Sequence, residues 1–266
     1  MAMRQRGFTM VELIIVIIVM AIVATISVRF VTLSTQGAID NSVRQRLAQA
    51  AAVINAQVSR ALRNALPGSV RELDGGRCIE WIPIEAASVY LSVPINTAAN
   101  TFEAVAYRPG SDVGGRIAVY PIAGNPYDLT SPGVVSPNAT VPAGSGQVTV
   151  SLDANHRFVT DSPTRRFFLI DSPRTFCQGS GSAFLYRYQG YGFNGTAAGT
   201  LANLPTTFGG GRSVIGARLE VGSVNFSYQA PTLTRNGVVA FQYTLVDEAS
   251  DETLAVSQEV QVRNVP

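Results

Sequence analysis

The chain has 266 residues, 46% hydrophobic and 14% charged, which excludes a disordered chain and allows one sizeable core or two small ones. All 20 basic residues are Arg, set against 18 acidic residues for a formal charge of +2. That balance excludes a general nucleic-acid binder, which needs a dense cationic face. One histidine, His156, and two cysteines leave too few ligands for a structural zinc, and a Ser-His-Asp or Cys-His enzyme would have to be built on His156 alone.

Residues 1–7 form a short polar leader carrying Arg4 and Arg6, and residues 8–28, FTMVELIIVIIVMAIVATISV, follow with one charge, Glu12. At about 1.5 Å per helical residue the apolar run spans roughly 30 Å, the thickness of a bilayer's hydrocarbon core. Positive charge ahead of it predicts a cytoplasmic leader and a translocated remainder. A secretory signal peptide has a shorter apolar region, about 7–15 residues, ending at a small-residue cleavage site. An ordinary signal anchor accounts for everything except Glu12. A carboxylate in a spanning helix costs about 2.5–3.5 kcal/mol at the centre and less towards the interface, and a plain anchor gains nothing from it. Glu12 is therefore expected to meet a cation inside an assembly.

Beyond Arg29 the apolar residues become periodic. Val43, Leu47, Ile54, Val58 and Leu62 fall on one helical stripe, with Asp40, Arg44, Arg46, Arg60 and Arg63 among the polar residues between them. Numerous alanines favour the helix, and Pro67-Gly68 stops it. The pattern predicts one helix over residues 8–66, about 59 residues and roughly 88 Å if straight. Residues 8–28 would be its membrane or filament-core half, and residues 29–66 an amphipathic half laid on a head formed by residues 67–266. A kink, if present, is expected near Ser34-Thr35-Gln36-Gly37.

The head reads as strands rich in Val, Ile, Tyr and Phe: residues 78–84, 88–93, 102–107, 117–122, 147–152, 166–170, 183–188, 219–228, 238–246 and 254–263. Turn-forming stretches at 125–146 and 190–212 read as loops, and Asp247-Glu248-Ala249-Ser250-Asp251-Glu252 as an acidic hairpin turn. No repeat of 20–50 residues is visible.

Cys78 and Cys177 would pair in an oxidising compartment; two free buried cysteines are the other reading. Gly190, Gly192 and Gly195 fit GxGxxG, but dinucleotide binding needs a helix directly after those glycines. Residues 196–203 read as a glycine-rich surface loop. His156 is expected at the surface or at a strand edge. Arg165, Arg166 and Arg174 are expected to pair with carboxylates of the head. The acidic turn reads as solvated, since its spacing does not match an EF-hand calcium site.

RGFTMVEL, residues 6–13, resembles the type IV prepilin motif: a basic leader ending in Gly, then Phe, Thr, two apolar residues and Glu. The resemblance implies cleavage after Gly7 by a prepilin peptidase and N-methylation of the new Phe8 amine. It also implies pairing of Glu12 with the terminal amine of a neighbouring subunit, which supplies the missing cation. In the first half of the helix the chain lacks the proline that many major pilins carry there. RNALPGSVR (63–71), CIEWIPI (78–84), residues 156–177 and the C-terminal VQVRNVP are similar to minor pilins of the MSHA-type pilus. That group is related to J-type minor pseudopilins of type II secretion systems and to W-type minor pilins.

The fold so implied is the α+β pilin-like one: a long hydrophobic-then-amphipathic helix packed on an antiparallel β-rich head. The implied function is assembly of an MSHA-type pilus, by priming or tip capping, with a type II secretion pseudopilin as the alternative. The implied partners are other minor and major pilins, the prepilin peptidase, the inner membrane and the pilus assembly platform. No nucleic acid, cofactor, metal or catalytic residue is expected. The implied location is the inner membrane with the head in the periplasm, then the pilus at the cell surface.

Overall fold

The computed structural model describes residues 9–107, 110–231 and 235–262. Helix α1 runs Met10–Arg63, 54 residues, unbroken through Ser34-Thr35-Gln36-Gly37. Thr9 caps its start, its hydroxyl accepting from the Glu12 N–H at 3.3 Å. At the other end Asn64 N–H turns back to the carbonyls of Ala61 and Leu62, and the Asn64 side chain donates to the Ile84 carbonyl at 2.6 Å.

The strands, in chain order, begin with β1 (Arg71–Leu73), β2 (Cys78–Trp81), β3 (Ile84–Val89), β4 (Ala99–Val105), β5 (Val113–Val119) and β6 (Val135–Val141). They continue with β7 (Gln147–His156), β8 (Arg166–Ile170), β9 (Arg174–Gln178) and β10 (Leu185–Tyr188). A short helix α2 (Ala197–Ala202) precedes β11 (Arg212–Gly216), β12 (Asn225–Gln229), β13 (Gly237–Asp247) and β14 (Glu252–Val262). They form three antiparallel sheets with the orders β1-β2-β9-β10-β11, β12-β13-β14 and β3-β8-β5-β6-β7-β4. The architecture is the α+β pilin-like fold: a long N-terminal apolar helix packed on an antiparallel β-rich head.

Every residue of α1 from Met10 to Ser42 is exposed, and burial begins at Val43. From there Val43, Leu47, Ala51, Ile54, Val58 and Leu62 are buried, spaced three and four apart so that they share one face. The helical half that touches the head is thus shorter than the amphipathic pattern, which starts at Arg29. The stripe meets Val239, Phe241, Tyr243 and Leu245 of β13 and Val260 and Val262 of β14 on one side. It also meets Ile79 and Trp81 of β2, Phe176 of β9 and Ile215 of β11. Trp81 and Phe176 lie 4.4 Å apart, centroid to centroid, and Phe241 stacks on Phe226 and Tyr243 at 5.3 and 4.9 Å. At Gly216 a Cβ would come within 2.6 Å of the Ile54 side chain, so the helix approaches β11 as closely as it does only because that residue has none. The Tyr243 hydroxyl donates towards the Ala51 carbonyl and the Asn55 side chain, at 3.2 and 3.0 Å.

Each large apolar side chain in the stripe stabilises the docked helix by about 1.5–3 kcal/mol. The exposed Arg44–Glu252 pair at 2.7 Å contributes at most about 1 kcal/mol. Apolar packing, not ion pairing, therefore joins helix to head.

The six-stranded sheet curls until its edges meet, where Tyr90 bridges Ala104 and the Leu91 N–H donates to the Glu103 carbonyl at 2.8 Å. Phe102, Val150, Phe158, Phe167 and Leu169 fill its interior. Leu66 and Ile82 pack against its outer side with Val135, Phe168 and Ile170, joining it to the end of α1.

Several strands lie where the sequence reads as loop or linker. β6 falls inside 125–146 because Pro137 and Asn138 read as turn residues. The ladder accommodates Pro137 at a register shift opposite β5, between the pairs Arg116–Asn138 and Ala118–Val135. There the Ser136 hydroxyl accepts the Ile117 N–H at 2.9 Å. β1, β9 and β11 have three to five residues each, too short for a periodic signal. Of residues 219–228, only the end from Asn225 is strand, and Leu219 makes a single bridge to Leu245.

Ile54→Ala is expected to cost about 2–5 kcal/mol, read as a lower denaturation midpoint at unchanged slope. Ile39→Ala, on the exposed part of the same helix, is expected to stay within about 0.5 kcal/mol.

Candidate functional site

The first half of α1 carries the chemistry singled out in the sequence. Thr9 and Glu12 occupy the N-cap and third helical positions of a Thr-x-x-Glu capping pattern. Glu12 also gains from the positive end of the helix dipole. These are intrachain reasons for an acid at this position, which sequence reasoning missed although the spacing was there to read. The Glu12 carboxylate has no ion-pair partner among the described residues. Gly7 and Phe8, the expected processing residues, lie outside the described residues.

From Met10 to Leu33 the helix exposes an almost continuous surface of Ile, Val, Leu, Met and Phe, with Ile14, Ile18, Ile22 and Ile26 each more than half exposed. Such a surface far exceeds the apolar patch of a soluble monomer, and the segment is long and apolar enough to cross a membrane. The threonine hydroxyls within it are internally satisfied: Thr25 donates to the Ile22 carbonyl at 2.8 Å and Thr32 to the Val28 carbonyl at 2.9 Å. They can enter an apolar environment without orphaned donors, whereas Glu12 and Arg29, the charged groups between Met10 and Leu33, have no ion-pair partner among the described residues.

Cys78 and Cys177 are direct cross-strand partners in β2 and β9 and form a disulfide, Cα–Cα 4.3 Å, 99 positions apart in sequence. The bond lies on the sheet face turned away from α1, among Tyr186 and Tyr188. Closing a loop of that length stabilises the fold by about 4–5 kcal/mol in the chain-entropy model.

The same face buries Glu80, which is wholly inaccessible. Arg71 Nε pairs with it at 2.5 Å, and the hydroxyls of Tyr191 and Thr200 donate to it at 3.0 and 3.3 Å. Arg71 also donates to the carbonyls of Asn194 and Gly195, at 2.7 and 3.2 Å, and lies 3.7 Å from the centre of the Tyr127 ring. Desolvation raises the Glu80 pKa, and the Arg71 charge and hydrogen bonds oppose that rise. The GYGFNG loop is thus pinned by Arg71 through its carbonyls. The six-residue helix α2 follows it, capped by Thr196, where the sequence reads as surface loop. The strands around it are antiparallel, which is not the βαβ setting of a dinucleotide site.

Other expectations are corrected. His156 is fully buried at the end of β7, edge-on to Phe158 at 4.8 Å, instead of at the surface. Its Nε2 lies 3.2 Å from the Gly133 carbonyl and its Nδ1 has no partner among the described residues, which assigns a neutral ring with the proton on Nε2. Burial depresses its pKa. In the acidic turn Asp247 is buried and bonded to Arg218 at 3.0 Å, with Arg46 at 3.8 Å; only the tip is solvated. Arg174 does pair with carboxylates as expected, those of Asp171 and Glu85. Arg165 and Arg166 have no ion-pair partner among the described residues. Among those residues no group of three His, Cys, Asp or Glu is placed to hold a metal.

Residues 2–28 match the family model described as the prokaryotic N-terminal methylation motif. No curated protein and no solved structure matches the chain. The motif, the exposed apolar helix and the β-rich head together support a type IV pilin-like protein: a structural class whose members partner other pilins and are processed by a prepilin peptidase.

Arg71→Ala is expected to cost about 3–5 kcal/mol at pH 7, because it leaves Glu80 buried and unpaired. The unfolded chain ionises Glu80 near pH 4.3, while the buried carboxyl holds its proton to higher pH. The penalty therefore grows as pH rises above about 4.3, and denaturant titrations should show a smaller loss at pH 4 than at pH 7. His156 has the opposite sign: the unfolded ring takes a proton below about pH 6.5 and the buried ring resists it, so stability falls as pH drops below that value. His156→Phe should flatten that part of the stability–pH curve.

Proposed function

We propose that this type IV pilin-like chain is a minor pilin, similar to the MshO protein of the MSHA-type pilus, that takes part in pilus assembly by priming or capping the tip. The prepilin peptidase cuts between Gly7 and Phe8, and the new Phe8 amine is methylated. Before assembly α1 crosses the inner membrane once, with the head in the periplasm. In the filament the apolar halves of neighbouring helices bundle, and Glu12 neutralises the terminal amine of an adjacent subunit. The pilus assembly platform and other minor and major pilins are its partners.

The observation that carries this reading is an apolar helix left bare by its own head, with a carboxylate four residues after Phe8 that is unpaired among the described residues. A buried carboxylate without a counter-charge costs several kcal/mol, so the bare surface and the acid call for the same kind of neighbour. Resemblance of the head blocks to MSHA-type minor pilins supports the finer assignment. A pseudopilin of a type II secretion system would use the same helix and the same acid.

The N-terminal mass of the protein recovered from sheared filaments should be that of methyl-Phe8. An intact Met1, or absence of the protein from filaments, would overturn the proposal. Substitutions at Glu12 separate its two roles. Gln keeps the capping pattern and removes the charge, whereas Ala removes both. Both are expected to lower incorporation at least about tenfold; normal incorporation of Glu12→Gln would reduce Glu12 to a helix cap.

A further inference from the structure

Beside the last turns of α1 lies an open groove of about 1400 Å³, bounded by the helix, β9, β10 and β14. It is larger than a typical small-molecule pocket, about 300–1,000 Å³. Trp81 and Phe176 reach it from the sheet, and Arg60, Arg63, Arg174 and Arg187 converge on it from one helix and two strands. Glu259 is the one carboxylate among the described residues that line it. Arg174 is already held by Asp171 and Glu85. Arg60, Arg63 and Arg187 have no ion-pair partner among the described residues, and the Arg187 Nε is buried without a hydrogen bond. Proximity to the helix C-terminus explains Arg60 and Arg63. It does not explain Arg187, which stands on β10 opposite Phe176 and brings a third unpaired guanidinium to the same place.

The complement lies on the same chain at the other end of the docked helix. The turn between β13 and β14 exposes Glu248 and Asp251, neither paired within the described residues. Its flanks are tied to the helix by Arg44–Glu252 and Arg46–Asp247. That places the turn about 16 residues, or roughly 24 Å along the axis, before Arg60 and Arg63. A subunit's own turn is therefore too far away to fill its own groove, whereas a copy displaced by about that distance along a parallel helix brings its turn level with it.

We infer that the groove receives the acidic turn of a second copy of this chain, with Glu248 and Asp251 of one copy between Arg60, Arg63 and Arg187 of the next. The contact joins two different surfaces, so a pair is polar and not a closed dimer: one copy keeps a free groove and the other a free turn. Unlike the bundling of apolar helices, it selects an axial offset. It goes beyond the proposed function and takes from it only the parallel alignment of neighbouring helices.

The test uses the full-length chain in membranes, with two differently tagged copies co-expressed. One carries Ala56→Cys, at an exposed position lining the groove, and the other Ala249→Cys, at the exposed turn. Oxidation should give a mixed disulfide dimer that falls at least about tenfold when the first copy also carries Arg60→Glu. The dimer should return when the second copy carries Glu248→Arg. Both charge reversals are at exposed positions, and an unchanged melting temperature with the Cys78–Cys177 bond intact verifies the fold. Absence of the mixed dimer, indifference to charge reversal, or cross-linking only to a different protein would overturn the inference. Failure of the pilin-like reading has a separate signature, an uncleaved N-terminus.

Discussion

The head is joined to its helix by six side chains on one face of α1, from Val43 to Leu62, inserted against β13 and β14 on one side and β2, β9 and β11 on the other. Everything else follows from where that stripe begins. Because burial starts only at Val43, more than half of α1 has no protein around it and needs another medium. A membrane satisfies the bare half by solvation, and a bundle of identical helices satisfies it by packing. One surface can move from the first to the second, since both offer apolar contact and neither needs a backbone donor.

Polarity in the molecule is arranged around the same division. In the bare half the Thr hydroxyls fold back onto their own helix, and Glu12 is the one acid inside the apolar run of residues 8–28. In the head the two buried carboxylates are consumed internally. Glu80 is enclosed by Arg71, Tyr191 and Thr200, and Asp247 is held by two arginines. The disulfide and the Arg71 network secure one face of the five-stranded sheet while α1 covers the other. The described head thus has the marks of a rigid scaffold: paired buried carboxylates and a covalent staple.

Legibility in the sequence varied with the range of the interaction. The helical stripe could be read because Val43, Leu47, Ile54, Val58 and Leu62 repeat at the helix's own period, whatever they pack against. Glu12 stood out because a carboxylate in an apolar run is costly in any arrangement. β6 could not be read, since Pro137 signals a turn locally and is tolerated only because β5 supplies a register shift and Ser136 a substitute acceptor. The burial of His156 depends on the closing end of a six-stranded sheet that pairs residues as far apart in the chain as Ile84 and Ile170. The GYGFNG loop took its meaning from Arg71, more than a hundred positions earlier.

From the amino-acid order alone come the bare apolar helix, the acid within it, a helix end within a few residues of Pro67-Gly68 and the β character of the rest. Each is set by contacts within a few residues or by the cost of a group in a given medium. The tertiary structure decided where on α1 the head begins, which strands neighbour one another, that Glu80 and His156 are interior, and that three unpaired arginines share one groove. Those outcomes depend on residues far apart in the chain being brought to one place, and no local period or propensity encodes that.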